Sequence, residues 1–511
     1  MSKQEADAIQ WRQANPAFIA IQFLRNMRGL VVPLGFVLVS QGFNGGLSRE
    51  GIFIWISLAI AVVVAASSFI SWQFLRFGVS ERQIQVKSGF INKQERAVSF
   101  ERIQSVDIEE APLDRIFGVV RIRIETAAGG DAKNADIRIE ALKRGDAEDL
   151  RNYLIRARQD VRGGHAPLPI DAIDATELQP PAVVPDTLIR KLSPRELFVA
   201  GATSGRFGPA LAIVGFFAQF ADDVIPQSWW SRLPWENASE IVTNVQALFA
   251  LVFVLGAIAW LLSVVSTILS FGGFEIRRSE DQLVIQYGLL DRRRLTIPMQ
   301  RMQAVRIVEG MLRQPFGLAE VRFESAGYNS ESATNGVLFP LLRRSEIMQF
   351  LEAVAPDFAV DASPDRLTSL PPRSVSRYTI PTAVTMVVLG LVVVGITWLV
   401  ADRFELWSIA AFALVPLTAL YGLLEYRDAG WLIEGGNLVV RRRNGGRETL
   451  ITKVRRLQHR RLLANPFQRR ANLATFQAAV ASGGSGGHFQ IAHLDRDDGN
   501  QLLAALGPSG H

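Results

Sequence analysis

Thirty-one consecutive residues, 241–271, carry no charged side chain. About 20 apolar residues in a helix cross the hydrocarbon core of a bilayer. A run this long and apolar is rare inside soluble folds, so a buried soluble helix is the weaker reading. Five more stretches lack charge: 29–43, 52–75, 207–221, 380–401 and 406–424. With 241–271 they make three pairs. The first and third are short alone. The first must extend back past Arg25 and Arg28, and the third must begin near Leu197 and include Arg206.

The loops set an orientation. The connections within the pairs, 44–51, 222–240 and 402–405, hold only Arg49, Arg232 and Arg403 as basic residues. Arg25, Arg28, Arg76, Arg190, Lys191, Arg277, Arg278, Arg373, Arg377 and Arg427 flank the other ends. The positive-inside rule places that side, with both termini, in the cytoplasm of a bacterial inner membrane. Trp55, Trp72, Trp398 and Trp407 lie near span ends, where amphipathic rings sit at the interface. The polar start, residues 1–13, reads as no cleavable signal peptide.

Hydrophobic residues make up 49% of the chain and charged residues 20%, a balance that suits apolar spans alternating with soluble modules. The absence of cysteine excludes disulfides, zinc–thiolate sites and cysteine nucleophiles. The five histidines form no His-x-x-x-His pair, and no cofactor is expected.

The soluble part repeats three times. Arg102-Ile103-Gln104 aligns with Arg301-Met302-Gln303 and Arg456-Leu457-Gln458, and the alignment runs without a gap to Gly118, Gly317 and Asn472. Residues 83–87, 121–125 and 320–324 alternate polar and apolar, as strands do. One helix is expected to close each copy, at 146–158, 344–355 and 495–506. The domains expected are 1–75 (terminus and first pair), 76–160 (module), 161–195 (Pro-rich linker), 196–272 (pair), 273–355 (module), 356–379 (Pro-rich linker), 380–426 (pair) and 427–511 (module). The linkers read as extended tethers.

The segment Arg102-Ile103-Gln104-Ser105-Val106, followed by Pro112-Leu113-Asp114-Arg115-Ile116-Phe117-Gly118, resembles the bacterial pleckstrin-homology-like (PH-like) domain of the second type. Three such modules behind helix pairs resemble the YdbT-like membrane proteins. The third copy departs from the pattern, with Ala471-Asn472 where Phe-Gly is expected. The resemblance implies seven strands capped by a C-terminal helix, and it implies no known activity. The expected fold class is thus membrane α-helical plus soluble α+β. Six transmembrane helices form three pairs, each followed by a PH-like small β-barrel or sandwich with a C-terminal helix.

Chemical motifs are weak. Gly483-Gly484-Ser485-Gly486-Gly487 matches a nucleophile elbow, but a strand follows it where a helix is needed. Asp107, Glu109 and Glu110 read as a solvated strand edge rather than an acid–base pair. Basic clusters stand out in the third module: Arg441, Arg442, Arg443, Arg455, Arg456, Arg460, Arg461, Arg469 and Arg470. They point to anionic lipid head groups or an acidic protein partner as ligand, set against simple positive-inside bias. Nucleic acid is disfavoured, because few aromatics interleave with the arginines. The expected function is a non-enzymatic scaffold or envelope-maintenance factor binding lipid or protein, including a shorter relative or a second copy. A transporter or lipid-translocating protein is the alternative. The central parts of the spans hold no Asp, Glu, Lys or Arg, which counts against ion coupling.

Overall fold

The computed structural model describes residues 10–27, 49–80, 82–90, 92–126, 137–162, 187–205, 245–279, 282–325, 336–401, 412–481 and 487–505. The chain forms two units, Met1–Ile297 and Pro298–His511.

In the first unit, β1 (Gln10–Gln13), β2 (Arg76–Val79), β3 (Gln83–Ser88) and β4 (Gln94–Ser99) form an antiparallel sheet in that order. A second antiparallel sheet runs β7 (Ile137–Lys143), β6 (Val119–Thr126), β5 (Ile103–Glu110), β11 (Arg292–Pro298), β10 (Gln282–Tyr287), β9 (Glu275–Ser279), β8 (Thr187–Lys191). The second unit repeats the scheme. One sheet runs β14 (Val337–Arg343), β13 (Leu318–Ser325), β12 (Met302–Glu309), β18 (Gly446–Lys453), β17 (Asn437–Asn444), β16 (Gly430–Glu434), β15 (Thr368–Ser369). The other comprises β19 (Leu457–Leu463), β20 (Leu473–Val480) and β21 (His488–Asp495). Each repeat thus supplies a set of four strands and a set of three. Each seven-stranded sheet joins the three of one repeat to the four of the next.

Among the described residues, six α-helical segments lie between the first and second strands of the repeats, two in each: residues 17–27 (α1), α2 (Arg49–Phe74), α5 (Pro194–Ala202), α6 (Val245–Phe271), α8 (Val375–Ala401) and α9 (Leu414–Asp428). Phe253–Phe271 and Pro372–Leu399 are long and apolar enough to cross a membrane, and Leu58–Phe74 is a shorter apolar helix. The spans expected at 29–43 and 207–221 lie outside the described residues, and that at 406–424 is described only from residue 412. Helices pack in twos where described. Trp72 Nε1 donates to Ala14 O at 2.8 Å, tying the end of α2 to the loop that leads from β1 into α1. Gly201 of α5 abuts the Val264 backbone of α6 so closely that an added Cβ would stand 3.1 Å from it. Ser193 opens α5 with a capping box: its Oγ accepts from Glu196 N, and its own N–H donates to the Glu196 carboxylate at 2.8 Å.

The helix pair is inserted into each module rather than placed before it. β1, β8 and β15 precede their pairs, and their partners β2, β9 and β16 follow directly. Parts of the polar N-terminus and of both Pro-rich stretches are therefore strand, not tether. These strands hold 4, 5 and 2 residues, and none of them alternates polar with apolar.

The expected alternation makes the cores. Ile122 and Ile124 of β6 point inward with Ile84, Phe100, Ile103, Ile137 and Ile139, while Arg121 and Arg123 point out. α4 (Arg144–Arg162) closes this core with Ala147, Leu150, Tyr153 and Leu154. In the third repeat α11 (Arg496–Ala505) does the same with Leu502 over Phe476, Ile491 and Leu494. In the second unit, η-turn residues 344–346 lead into α7 (Ile347–Val354), whose Phe350 ring meets Phe339. Each fully buried Ile or Leu contributes about 1.5–3 kcal/mol.

The Asn472 departure is absorbed locally. Gly118 and Gly317 adopt φ of 65° and 61°, and Asn472 takes 54° at the same place. Asparagine is the side chain that best tolerates the left-handed region, so the loop is kept. Asn472→Gly should leave unfolding in detergent within a few tenths of a kcal/mol of the parent. Asn472→Val should cost about 2 kcal/mol, read as a lowered thermal midpoint. Equal midpoints for the two variants would refute this account.

Candidate functional site

The nine arginines singled out in the sequence do not form one patch. Arg441, Arg442 and Arg443 lie on β17, and two of them turn inward: Arg441 is 5% exposed and Arg443 8%. Arg443 Nε donates to Asp428 at the end of α9 at 2.7 Å, and its Nη2 donates to Gln314 Oε1 at 2.8 Å. Arg442 Nε donates to Glu448 Oε2 at 2.9 Å across the β17–β18 hairpin. Arg441 donates to Thr449 Oγ1 at 3.1 Å and to the carbonyl of Ala362. Burial, with the nearby charges of Arg344 and Arg447, pushes the Arg441 guanidinium down to about 10.

The acids that hold this cluster come from two repeats. Glu448 receives Arg306 of β12 and Arg442 of β17, and Arg306 also meets Glu324 at 3.2 Å. Arg447 bridges Glu309 of β12 and Asp428 at 2.9 and 2.8 Å. Burial alone would raise the Glu448 carboxyl, but Arg306 and Arg442 outweigh it and hold it below its ordinary 4.5. Likewise Asp428 and Glu309 overcome burial to raise Arg447. The sequence showed the arginine run, but not that Asp428, Glu448 and Glu309 meet it. The hairpin register Arg442↔Glu448 is the one local signal that could have found a partner.

The remaining arginines face outward or lie along the surface. Arg455 is exposed on the turn after β18, and Arg456 lies over the Phe358 ring at 5.4 Å. Arg460 is half-buried on β19, while Arg461 is exposed and donates to Gln477 at 2.8 Å. Arg469 and Arg470 are exposed at the end of α10 (Pro466–Arg470). The same loop in the first repeat is α3 (Pro112–Ile116) and in the second the turn Gln314–Phe316. All three loops present large apolar side chains to the outside: Ile116, Phe316 (70% exposed) and Phe467 (63%).

These modules also touch helix ends. The Phe90 ring at the β3–β4 turn packs on Phe74, the last residue of α2, at 5.1 Å. Gly288 N and Leu289 N, at the β10–β11 turn, donate to Gly272 O and Leu269 O at the end of α6 at 2.8 and 3.0 Å. Gly445 N, at the β17–β18 turn, donates to the Tyr421 hydroxyl of α9 at 2.8 Å. Arg377 of α8 donates to Phe467 O at 3.2 Å and covers its ring.

Catalytic geometry finds little support. Asp107, 2% exposed, accepts a hydrogen bond from Thr296 N at 3.2 Å, so it is a buried strand acid rather than part of a solvated edge. The elbow-like segment at 483–487 lies outside the described residues but for Gly487. A cavity of about 340 Å³ in the first module is lined by Arg12, Lys143, Asp146, Asp149 and Tyr153. Burial and the charge of Asp160 push the Tyr153 hydroxyl up to about 12, so it stays protonated at neutral pH. Among the described residues no three His, Asp or Glu side chains gather as a metal-ligand set.

Because the folded Glu448 carboxyl is held below 4.5, its contribution is complete above that pH and is lost as pH falls through the depressed value. Stability should therefore drop on acidification below pH 4.5, and Glu448→Gln should show a shallower drop. At neutral pH the same substitution should cost about 3 kcal/mol, since it leaves Arg306 and Arg442 without their shared anion. Denaturant unfolding at pH 7 and at pH 4 measures both effects.

No solved structure matches this chain. UPF0699 transmembrane protein YdbT of Bacillus subtilis (strain 168) is 25% identical over 489 residues, 94% of each chain. The family described as Bacterial PH domain matches residues 30–158, 232–357 and 375–509. These three matches cover most of the chain and take in each run of strands from β2, β9 and β16 to its closing helix. The chain therefore belongs to the bacterial PH domain family.

Proposed function

We propose that this protein is a non-enzymatic, multi-pass membrane scaffold whose three PH-like modules lie on the cytoplasmic face and engage anionic lipid through apolar loops and arginines. One observation carries the reading. The modules' hairpin turns are fastened to the ends of helices whose outer faces are apolar. Trp55 on α2, Phe253 on α6 and Leu417 on α9 are all exposed, and continuous apolar surface of this kind calls for lipid around it. A turn fastened to such a helix end stands at the level of the head groups.

The loops fit that depth. Leu289 and Leu290 lie beside the end of α6, and Met311, Leu312 and Phe316 are exposed on the turn of the second repeat. Phe467 sits beside Arg377 at the start of α8, with Arg469 and Arg470 two and three residues on. An aromatic ring flanked by arginines suits the interface, where the ring reaches the acyl boundary and the guanidinium groups meet phosphate. Each arginine near an anionic surface adds about 1 kcal/mol. Arg455, Arg469 and Arg470 are the members of the sequence set available for this, with Arg456 and Arg460 partly so. Arg441, Arg442 and Arg443 serve the internal ion network instead. The relative named a transmembrane protein supports the multi-pass reading, and the loop charges support the cytoplasmic side. Six spans carrying three modules read as a platform that concentrates the modules at the bilayer.

The chain contains no cysteine, so a single introduced one reports its own site. Phe316→Cys, Phe467→Cys and the control Asp365→Cys would be spin-labelled in the full chain and reconstituted in neutral or phosphatidylglycerol-containing vesicles. Labels at 316 and 467 should be shielded from aqueous nickel and open to oxygen, unlike that at 365. Arg469→Glu with Arg470→Glu should reduce the shielding at 467 in anionic vesicles alone. Nickel access at 316 and 467 equal to that at 365 would sink the proposal.

A further inference from the structure

Successive repeats are joined by the same strand pair twice. In the first unit the fifth strand of repeat one, β5, pairs antiparallel with the fourth strand of repeat two, β11. In the second unit the fifth strand of repeat two, β12, pairs with the fourth strand of repeat three, β18. Each joint has a short 3-10 turn between the fourth and fifth strands of every repeat, at Phe100–Arg102, Met299–Arg301 and Val454–Arg456, so places can be transferred without a gap. On that basis the two joints share one register. Glu110↔Arg292 in the first and Glu309↔Arg447 in the second are the same place.

Both joints are also charge-matched. The strand β5 sets Glu109 opposite Arg293 and Glu110 opposite Arg292, and Glu109 helps to hold Arg293 charged against its burial. In the second joint Arg306 meets Glu448, and Glu309 meets Arg447.

The third repeat has a fifth strand too, β19, at the edge of its sheet. Among the described residues nothing pairs with its outer edge, where His459, Arg461 and Leu463 are exposed. It carries Arg460 and Arg461 and no carboxylate. Arg461 occupies the place of Arg306, whose partner in the next fourth strand is Glu448. An exposed edge of this length is a template for another strand.

We propose that β19 is a docking edge for the fourth strand of a PH-like domain on a separate chain, one that carries a carboxylate at the place of Glu448. A second copy of this protein fits less well. Its own open fourth strand, β4, has Gln94 at the place of Glu448 and Arg96 directly opposite Arg461. Like charges opposite one another weaken a strand pair. The partner thus extends the array by the geometry the chain already uses twice, and its acidic strand sets it apart from a copy of this chain. The docking edge does not depend on the bilayer contacts proposed above.

The test uses two differently tagged full-length chains co-expressed in membranes. The receiver carries Ala464→Cys and the donor Lys93→Cys, the pair that corresponds to Glu309↔Arg447. With no native cysteine, a mixed disulfide reports this contact. A donor that also bears Gln94→Glu and Arg96→Leu, which copies Glu448 and Leu450, stands in for the acidic partner. Mild oxidation should link it about fivefold more than the donor with native Gln94 and Arg96. Arg461→Glu on the receiver should return linkage to that of a control donor bearing Asp365→Cys, while Arg461→Lys should retain it. The lysine variant separates charge from misfolding. Linkage no higher than the Asp365→Cys control would overturn the docking edge. Equal linkage by the native and acidic donors would overturn the acidic partner in favour of self-association.

Discussion

The ladder between β12 and β18 is the constraint on which the second unit depends. Six residue pairs, Ala304↔Thr452 to Glu309↔Arg447, stitch two repeats into one sheet. The backbone bonds are sequence-blind, so the side chains must select the register. They do so with charge: Arg306 and Glu448 stand on opposite sides of the joint, both largely withdrawn from water. Removing either would leave the other's charge buried, which costs more than the pair itself contributes. The first unit uses a shorter ladder between β5 and β11, in which Glu110↔Arg292 keeps the polarity of Glu309↔Arg447 and Glu109 faces Arg293 at the place of Val308 and Glu448.

Insertion of the helix pair between the first and second strands gives each module two covalent ties to its helices. A strand leads into the pair and another leads out, and the two are hydrogen-bonded neighbours, as Gln10↔Val79 to Gln13↔Arg76 show. A module held this way cannot swing from the helix ends as it would on one linker. The turn contacts, Gly445 N to Tyr421 and Leu289 N to Leu269, fasten it further. The proline-rich stretches serve partly as edge strands, and proline is tolerated beside such short edges because few ladder bonds are lost.

Much of this was legible in the chain. The uncharged runs foretold α2, α6 and α8, and period-two alternation foretold β3, β6 and β13. The gap-free match from Arg102, Arg301 and Arg456 foretold the repeats. The short first strands were not legible, because Gln10–Gln13 and Thr368–Ser369 are too brief to carry a pattern. The arginine cluster was legible as charge but not as structure. Arg441 and Arg443 looked the same as Arg469 and Arg470 in sequence, yet the first two are buried and the last two exposed. What separates them is Asp428, Gln314 and the neighbouring β18, which only folding brings near.

The sequence by itself thus determined the chemistry of each segment: which runs need lipid, which alternate and which repeat. Hydrophobic periodicity and backbone sterics act over a few residues, so they can be read locally. Only the tertiary structure decided that the fifth strand of one repeat meets the fourth of the next, and that β19 ends the series with its edge exposed. Those outcomes depend on pairing between residues more than a hundred positions apart, such as Arg306 and Glu448, where loop closure and charge matching, not local pattern, select the partner.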